Sequence, residues 1–284
     1  MKPILKWAGG KRYLIPYILD LFPPNYQNLT YHEPFFGSGA LFFEVKPTSG
    51  SINDLNPDLI RFYKSVRDNP EDLMSTAMKY KYQKEVFYKL RKRFNYADLT
   101  DLERAALLLY FNKTAFNGLY RVNSKGKFNV PYGTYKNPTI VPRNRILAAS
   151  KILKKVGIFN KDFTYILDYA KEGDLCYFDP PYHPVSDTSN FTSYSENGFN
   201  MSEQKRLRDI CLDLDAKGVY WVLSNSFVPQ IRKLYENQKN IEVKTVQSPR
   251  RISSKSSTRG LINEFLATNI KRIREHTLSS DERV

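Results

Sequence analysis

The residue types best suited to chemistry concentrate in Leu175-Cys176-Tyr177-Phe178-Asp179-Pro180-Pro181-Tyr182, where an apolar run ends in an acid, two prolines and an aromatic. Proline has no N–H and a locked φ, so the carbonyls of Asp179 and Pro180 are unencumbered and rigidly aimed. One carboxylate and one carbonyl held close together can accept both hydrogens of an amino group. Tyr182 can stack on the planar ring that bears it. A second segment, Glu33-Pro34-Phe35-Phe36-Gly37-Ser38-Gly39-Ala40, follows a strand-like run and opens a helix-like one. Glycines at such a turn let the backbone approach a ligand closely. Asp54 closes the next strand-like run, where an acid can hold ribose hydroxyls. Lys6-Trp7-Ala8-Gly9-Gly10-Lys11 stands ahead of the first helical pattern as a third candidate ligand edge. His32, His183 and His276 have no metal-ligand spacing, so no metal is expected.

The elements that must position these residues read as an α/β alternation. Helical spacing of Leu14, Ile15, Ile18, Leu21 and Phe22 predicts a helix over 11–22, stopped by Pro23-Pro24. Strands are expected at 29–33, 51–54, 157–159, 175–178, 220–224, 241–246 and 264–268. Helices are expected at 39–45, near 57–68, 70–79, 84–95 and 100–112, then at 143–155, 163–170 and 201–216. Asn200 and Glu203 have the spacing of a capping box at the start of the last of these. Between 113 and 142 the periodicity gives way to Gly, Asn and Pro, which points to loops and a hairpin. Alternation at both ends implies a layered domain with a largely parallel sheet, formed by 1–55 and 146–270. The block 56–145 interrupts it as a helical insertion, and 271–284 is a polar tail.

Charge says what that insertion meets. The chain carries a net charge of +15 over 284 residues, which makes an anionic partner plausible. From Arg104 through Lys161 there is no acid in 58 residues, while twelve basic residues are interleaved with Tyr110, Phe111, Phe116, Tyr120, Phe128, Tyr132 and Tyr135. Basic side chains track a phosphate backbone, and aromatic faces stack on bases. A second acid-free stretch, Val243 to Asn263, holds five basic residues among seven serines and threonines. With 41% hydrophobic residues the chain is too apolar to be disordered. Two cysteines, Cys176 and Cys211, cannot build a disulfide framework, so a reducing, cytoplasmic setting is expected. No apolar leader opens the sequence, and the longest apolar run, Ala105 to Phe111, is far too short to span a membrane.

In this order, Lys6–Lys11, Glu33–Ala40, Asp54, the basic block and Asp179–Tyr182 resemble DNA adenine methyltransferases of the Dam type, over about residues 2–270. The segments Asn117–Asn123, Phe128–Gly133 and Ser253–Gly260 also look similar to modification methylases paired with GATC-cutting endonucleases. The resemblance implies a Rossmann-like sheet that binds S-adenosylmethionine, with a DNA-recognition region inserted between the cofactor and catalytic motifs. It further implies methylation of the N6 of adenine in double-stranded DNA, in GATC, on a base flipped out of the duplex. Asp179, Pro180, Pro181 and Tyr182 are then catalytic. Trp7 and Lys11 approach the cofactor, and Glu33, Pro34, Phe35, Gly37 and Gly39 wrap its methionine and ribose side. Asp54 takes the ribose hydroxyls, Asp162 and Phe163 bracket its adenine, and Asp179 borders it. Lys6, Leu119, Arg121, Pro131 and Tyr135 face the major groove. Phe116 or Asn117 fills the gap left by the flipped base, and Asn123, Lys255 and Arg259 complete the DNA contacts. A restriction endonuclease of the same specificity is an expected companion. The alternatives are an N4-cytosine or protein-glutamine amino-methyltransferase, whose related motifs more often begin with Ser or Asn, and a non-catalytic basic DNA-binding module.

Overall fold

The structure, a computed structural model, describes residues 1–182, 199–249 and 261–271. Seven strands form one sheet among them: β1 Tyr31–Glu33, β2 Gly50–Asn53, β3 Gly157–Phe159, β4 Leu175–Phe178, β5 Tyr220–Ser226, β6 Glu242–Pro249 and β7 Leu261–Thr268. Their order is β3-β2-β1-β4-β5-β7-β6. The first five pair in parallel and β7 runs antiparallel between β5 and β6. The chain therefore builds outward from β1 through β2 to β3, then returns to place β4 on the other side of β1. That reversal makes a crevice at the carboxyl ends of β1 and β4, the place where open α/β sheets bind ligands. The mainly parallel sheet with helices on both faces makes a Rossmann-like architecture.

The period-2 alternation of strand side chains sorts the core into two faces. Leu175, Tyr177, Val222 and Leu266 enter one apolar cluster, while Cys176, Phe178, Trp221, Leu223, Phe265 and Ala267 enter another. The first face is covered by α1 Ile15–Leu19, α2 Phe42–Val45, α3 Pro57–Asp68, α4 Pro70–Met78 and α7 Arg143–Leu153. The second is covered by α8 Ile166–Tyr169, α9 Met201–Ala216 and α10 Pro229–Tyr235. Both faces being buried explains why β4 and the first part of β5 read as continuous apolar runs.

Between β2 and β3 the chain also makes α5 Lys84–Tyr96 and α6 Asp101–Thr114. These pack a third cluster of their own, in which Phe87, Leu90, Phe94, Tyr110 and Phe111 meet Phe128 and Val130 from the following loop region. That loop folds back as two ribbon-like pairings, Ala115 with Tyr132 and Val122 with Phe128. The helix α3 lies within the 56–145 block yet shares the sheet's core, and α6 touches both clusters.

Several boundaries differ from expectation for local reasons. The 11–22 segment is a 3₁₀ turn at Arg12–Leu14 followed by α1, with Pro16 in its first turn. The 39–45 helix is only α2, because Gly39 has φ +65° and cannot be helical. A Cβ on Gly39 would also fall 2.4 Å from the Phe36 ring, so the position demands glycine. Asn200 caps α9 by accepting from the N–H groups of Ser202 (2.9 Å) and Glu203 (3.2 Å). The Glu203 side chain, however, pairs with Arg206 at 2.7 Å. A complete capping box stands instead at Thr100 and Glu103, opening α6.

Candidate active site

Asp179 follows β4 directly, so the sheet delivers it to the switch-point crevice. Its Oδ1 accepts from the Ser224 hydroxyl at 3.0 Å, and Ser224 Oγ also lies 2.9 Å from the Tyr177 hydroxyl. Pro180 is buried, and the Pro181 carbonyl accepts from Gln204 Nε2 at 3.2 Å. Gln204 is fully buried on α9 and held in turn by Asn225 at 2.9 Å. The acid and the two prolines are thus gripped from β5 and α9. The Lys11 ammonium donates to Asp179 Oδ1 and sits 3.3 Å from the centre of the Tyr182 ring. Burial pushes the Lys11 pKa down, against the raising effect of Asp179.

Glu33 ends β1 beside them, 2% exposed, with the Tyr31 hydroxyl donating to Oε1 at 2.6 Å. Burial raises its carboxyl to about 8, with the charge of Asp179 adding to the rise and the Tyr31 hydrogen bond opposing it. In the unfolded chain a Glu titrates near 4.5. Between those pH values the folded protein binds the extra proton, so the group's favourable contribution is complete in acid and is lost as pH rises through about 8. Glu33→Gln keeps an acceptor for Tyr31. It is expected to remove a stability slope of up to about 1.4 kcal/mol per pH unit in that window. Urea unfolding at pH 5 and pH 8 measures this; equal slopes in variant and wild type would mean Glu33 is charged where it lies.

Asp54, after β2, accepts from the Gly37 N–H and the Asn56 N–H, both at 2.9 Å. Burial raises its pKa and those two N–H groups counter it. Gly37, at φ +51°, would carry a Cβ 3.3 Å from the Trp7 ring, so Trp7 closes over the loop. A partly exposed carboxylate clamped to a glycine turn, with an aromatic ring above, suits a ribose-bearing ligand. Asp54, Gly37 and Trp7 would hold such a group.

Asp162 and Phe163 stand differently from a free bracket. Asp162 caps the 3₁₀ turn Phe163–Tyr165 by accepting from the Thr164 N–H at 3.0 Å, and it pairs with Arg206. Phe163 is 2% exposed, against Phe35, Phe199 and the Arg206 guanidinium. Pro34 supplies a carbonyl that accepts from buried Asn53 at 3.0 Å.

The candidate DNA-facing residues gather at the end of α6. Asn112, buried, accepts from the Lys6 N–H at 2.9 Å and donates to the carbonyls of Lys6 (2.6 Å) and Gly118 (3.2 Å). It stitches the N-terminal segment to the recognition loop. The Lys6 ammonium lies 5.6 Å from the Tyr135 ring, and the Phe116 N–H donates to Pro131 O at 2.9 Å. Phe116 and Leu119 are exposed, and Asn117 has φ +54°. Exposed Arg121 donates through Nε to Asn129 Oδ1 at 2.8 Å. Asn123 spends its side chain inside the turn, accepting from the N–H groups of Lys125 and Lys127 at 3.0 Å each. His183, Lys255 and Arg259 lie outside the described residues, as do the 253–260 motif, His276 and 272–284 of the tail.

Sequence reasoning missed the residues that join these parts. Tyr120 stacks on Trp7 with ring centres 5.2 Å apart, and its hydroxyl donates to Asp58 at 2.8 Å. Asp58, almost buried on α3, also takes Arg104 and Arg61. Asn112 carried a sequence signal as a polar residue closing the apolar run Ala105–Phe111, and Tyr120 carried one as an aromatic of the acid-free block, though not for the contacts it makes. A serine, histidine and acid also meet inside the sheet: Ser51 Oγ lies 2.7 Å from His32 Nδ1, and His32 Nε2 lies 3.1 Å from Asp174. Ser51 is wholly buried and also bonded to Tyr165, so this trio is packing and not a nucleophile. Among the described residues no cluster of His, Cys, Asp and Glu could hold a metal ion, and no helix is long and apolar enough to cross a membrane.

Comparison with known proteins gives a match over residues 7–248 to the family model of the D12 class N6 adenine-specific DNA methyltransferase. The Type II methyltransferase M1.LlaDCHI of Lactococcus lactis subsp. cremoris is 44% identical over 276 residues, covering 95% of each chain. The Type II methyltransferase M.MjaIII of Methanocaldococcus jannaschii is 39% identical over 280 residues, 91% of this chain and 95% of its own. A DNA adenine methylase of Vibrio cholerae is 33% identical over 271 residues, 94% and 95% of the two chains.

Proposed function

The chain belongs to the D12 class of N6 adenine-specific DNA methyltransferases, and from that premise we propose that it methylates adenine within GATC, using S-adenosylmethionine, on a base turned out of the duplex. The observation that carries this reading is Asp179, held by Ser224 at the switch point beside the Tyr182 ring. The cofactor, when bound, supplies an electrophilic methyl group. Asp54 and the Gly37 turn would hold its ribose, with Trp7 over the turn.

An adenine amine is a poor nucleophile because its lone pair is delocalised into the ring. Asp179 and the Pro180 carbonyl accept its two hydrogens and favour a pyramidal nitrogen whose lone pair is directed at the methyl group. Tyr182 stacks on the base and fixes its plane. The protein's contribution is position and fixed dipoles, with no covalent enzyme intermediate. The amine is unreachable inside a duplex, so the base must leave the stack. Phe116 or Asn117, exposed at the loop beyond α6, fills the space it leaves.

The insertion 56–145 reads the sequence, with α5, α6 and the folded-back loop as its rigid part. Lys6, Leu119, Arg121, Pro131 and Tyr135 face the major groove. Arg121 is steadied through Nε, so its plane is set for two hydrogen bonds to guanine O6 and N7. Relatives named Type II methyltransferases support a companion restriction endonuclease, and the work is expected where the DNA is, in the cytoplasm.

Arg121→Ala is expected to cost about 1–3 kcal/mol on GATC and to narrow the preference over sites altered at one guanine. Initial methylation rates on GATC and on single-base variants test both the site and the residue. A uniform drop on every duplex would make Arg121 a phosphate contact.

A further inference from the structure

Lys11 stands where the reaction needs something else. Its ammonium donates to the same Asp179 oxygen that Ser224 holds, and it lies 3.3 Å from the centre of the Tyr182 ring. Those are the two partners that the functional reading gives to the target base: an acceptor for its amine and a face for its ring. A cation that close to the ring leaves no room for a base on the same face. We propose that Lys11 is a positioning residue that takes the target amine's seat against Asp179 in the free enzyme and gives it up when the base enters.

The surroundings suit such an exchange. Lys11 is only 10% exposed, so it is seated in the site rather than waving above it. The residues before it, Ala8, Gly9 and Gly10, are exposed. Gly9 has φ +83°, with nothing within 4 Å of where a Cβ would be. The Lys11 carbonyl accepts from the Leu14 N–H at 2.9 Å and anchors the backbone to the Arg12–Leu14 turn, so the exchange needs only its side chain to move. An ammonium has three donors and no acceptor. It can therefore satisfy a carboxylate meant for an amine, and while protonated it has no lone pair to be methylated.

The groups facing this pair come from every neighbouring element. Glu33 at the end of β1 titrates near 8 and is mostly neutral at pH 7. The hydroxyls of Tyr177 on β4 and of Tyr182 are neutral, their pKa values pushed well up by burial. Ser224 on β5 is uncharged. Glu264 on β7, which accepts from Tyr13, favours the charged form of Lys11. The ammonium thus keeps a counter-charge when it lets go of Asp179.

The proposal rests on the functional reading, and two measurements on Lys11→Met separate them. The first is the pH dependence of methylation of a GATC duplex. The acid limb of kcat/KM reports the free enzyme and that of kcat reports the complex. Removing a cation from beside the acid withdraws its favourable charge, so the acid limb of kcat/KM is expected to move up, with that of kcat unmoved. Both limbs moving together would mean Lys11 stays on Asp179 through the reaction and would overturn the proposal. Neither limb moving, with only the KM for S-adenosylmethionine raised, would make Lys11 a plain cofactor ligand and would also overturn it. The second measurement needs no turnover: thermal unfolding of Lys11→Met, Asp179→Asn and the double variant. Non-additive shifts in Tm are expected and additive shifts would remove the pairing. A wild type that methylates no adenine while the Tm shifts stay non-additive would sink the functional reading and leave the pair standing.

Discussion

Asp179→Ala is expected to slow methyl transfer by at least about a hundredfold while leaving DNA binding largely intact. The carboxylate is the one charged acceptor in the Asp179–Tyr182 segment, and Ser224 at 3.0 Å fixes its orientation. Alanine removes the group that pulls density toward the amine. It leaves the exposed residues at the end of α6, where the DNA contacts are assigned, untouched. It also removes the carboxylate that Lys11 is bonded to. Asp179→Asn, which keeps the shape and one acceptor, distinguishes loss of charge from collapse of the site. Single-turnover transfer of labelled methyl, alongside equilibrium binding of the duplex, measures both consequences. A rate within tenfold of wild type would remove Asp179 from the catalytic role.

Asp54→Ala is expected to weaken S-adenosylmethionine binding by about 1.5–3 kcal/mol, the scale of hydrogen bonds to a charged group. Two losses combine in this variant. The ribose loses its acceptor, and the turn loses the bond that holds the Gly37 N–H at 2.9 Å. Gly37 sits at φ +51°, a left-handed conformation that glycine adopts without strain, so the loss falls on the clamp and not on the turn's shape. Titration calorimetry gives the affinity directly. An unchanged Kd would move the ribose contact to another acid.

The strands and the catalytic segment were legible because they rest on short-range patterns. The bounds of β3, β4 and α9 coincide with those read from the sequence, since apolar runs bounded by turn residues, and an Asn before a helix, are local signals. The helix α10 was not foreseen, being seven residues wedged between two strands after Pro229. The helix expected over 39–45 shrank because backbone conformation at Gly39 overrides the spacing around it. The pairings that assemble the site were not legible at all. Lys11 and Asp179 are 168 positions apart in sequence and meet at the point where the strand order reverses, beside β1 and β4. Asp58, Gln204 and Ser224 look in sequence like ordinary surface polar residues. Their roles come from burial, which periodicity assigns to apolar side chains alone. Asn123 and Asp162 show the converse: residue types suited to a ligand that the chain also uses to hold its own turns.

The central claim is that this chain places a methyl group on the amine of adenine in a specific duplex sequence. Incubation with methyl-labelled S-adenosylmethionine and two duplexes differing by one GATC, followed by digestion and chromatography of the nucleosides, tests it most directly. The account predicts label in N6-methyldeoxyadenosine, from the GATC duplex alone. Label in N4-methyldeoxycytidine, or equal label from both duplexes, would contradict it.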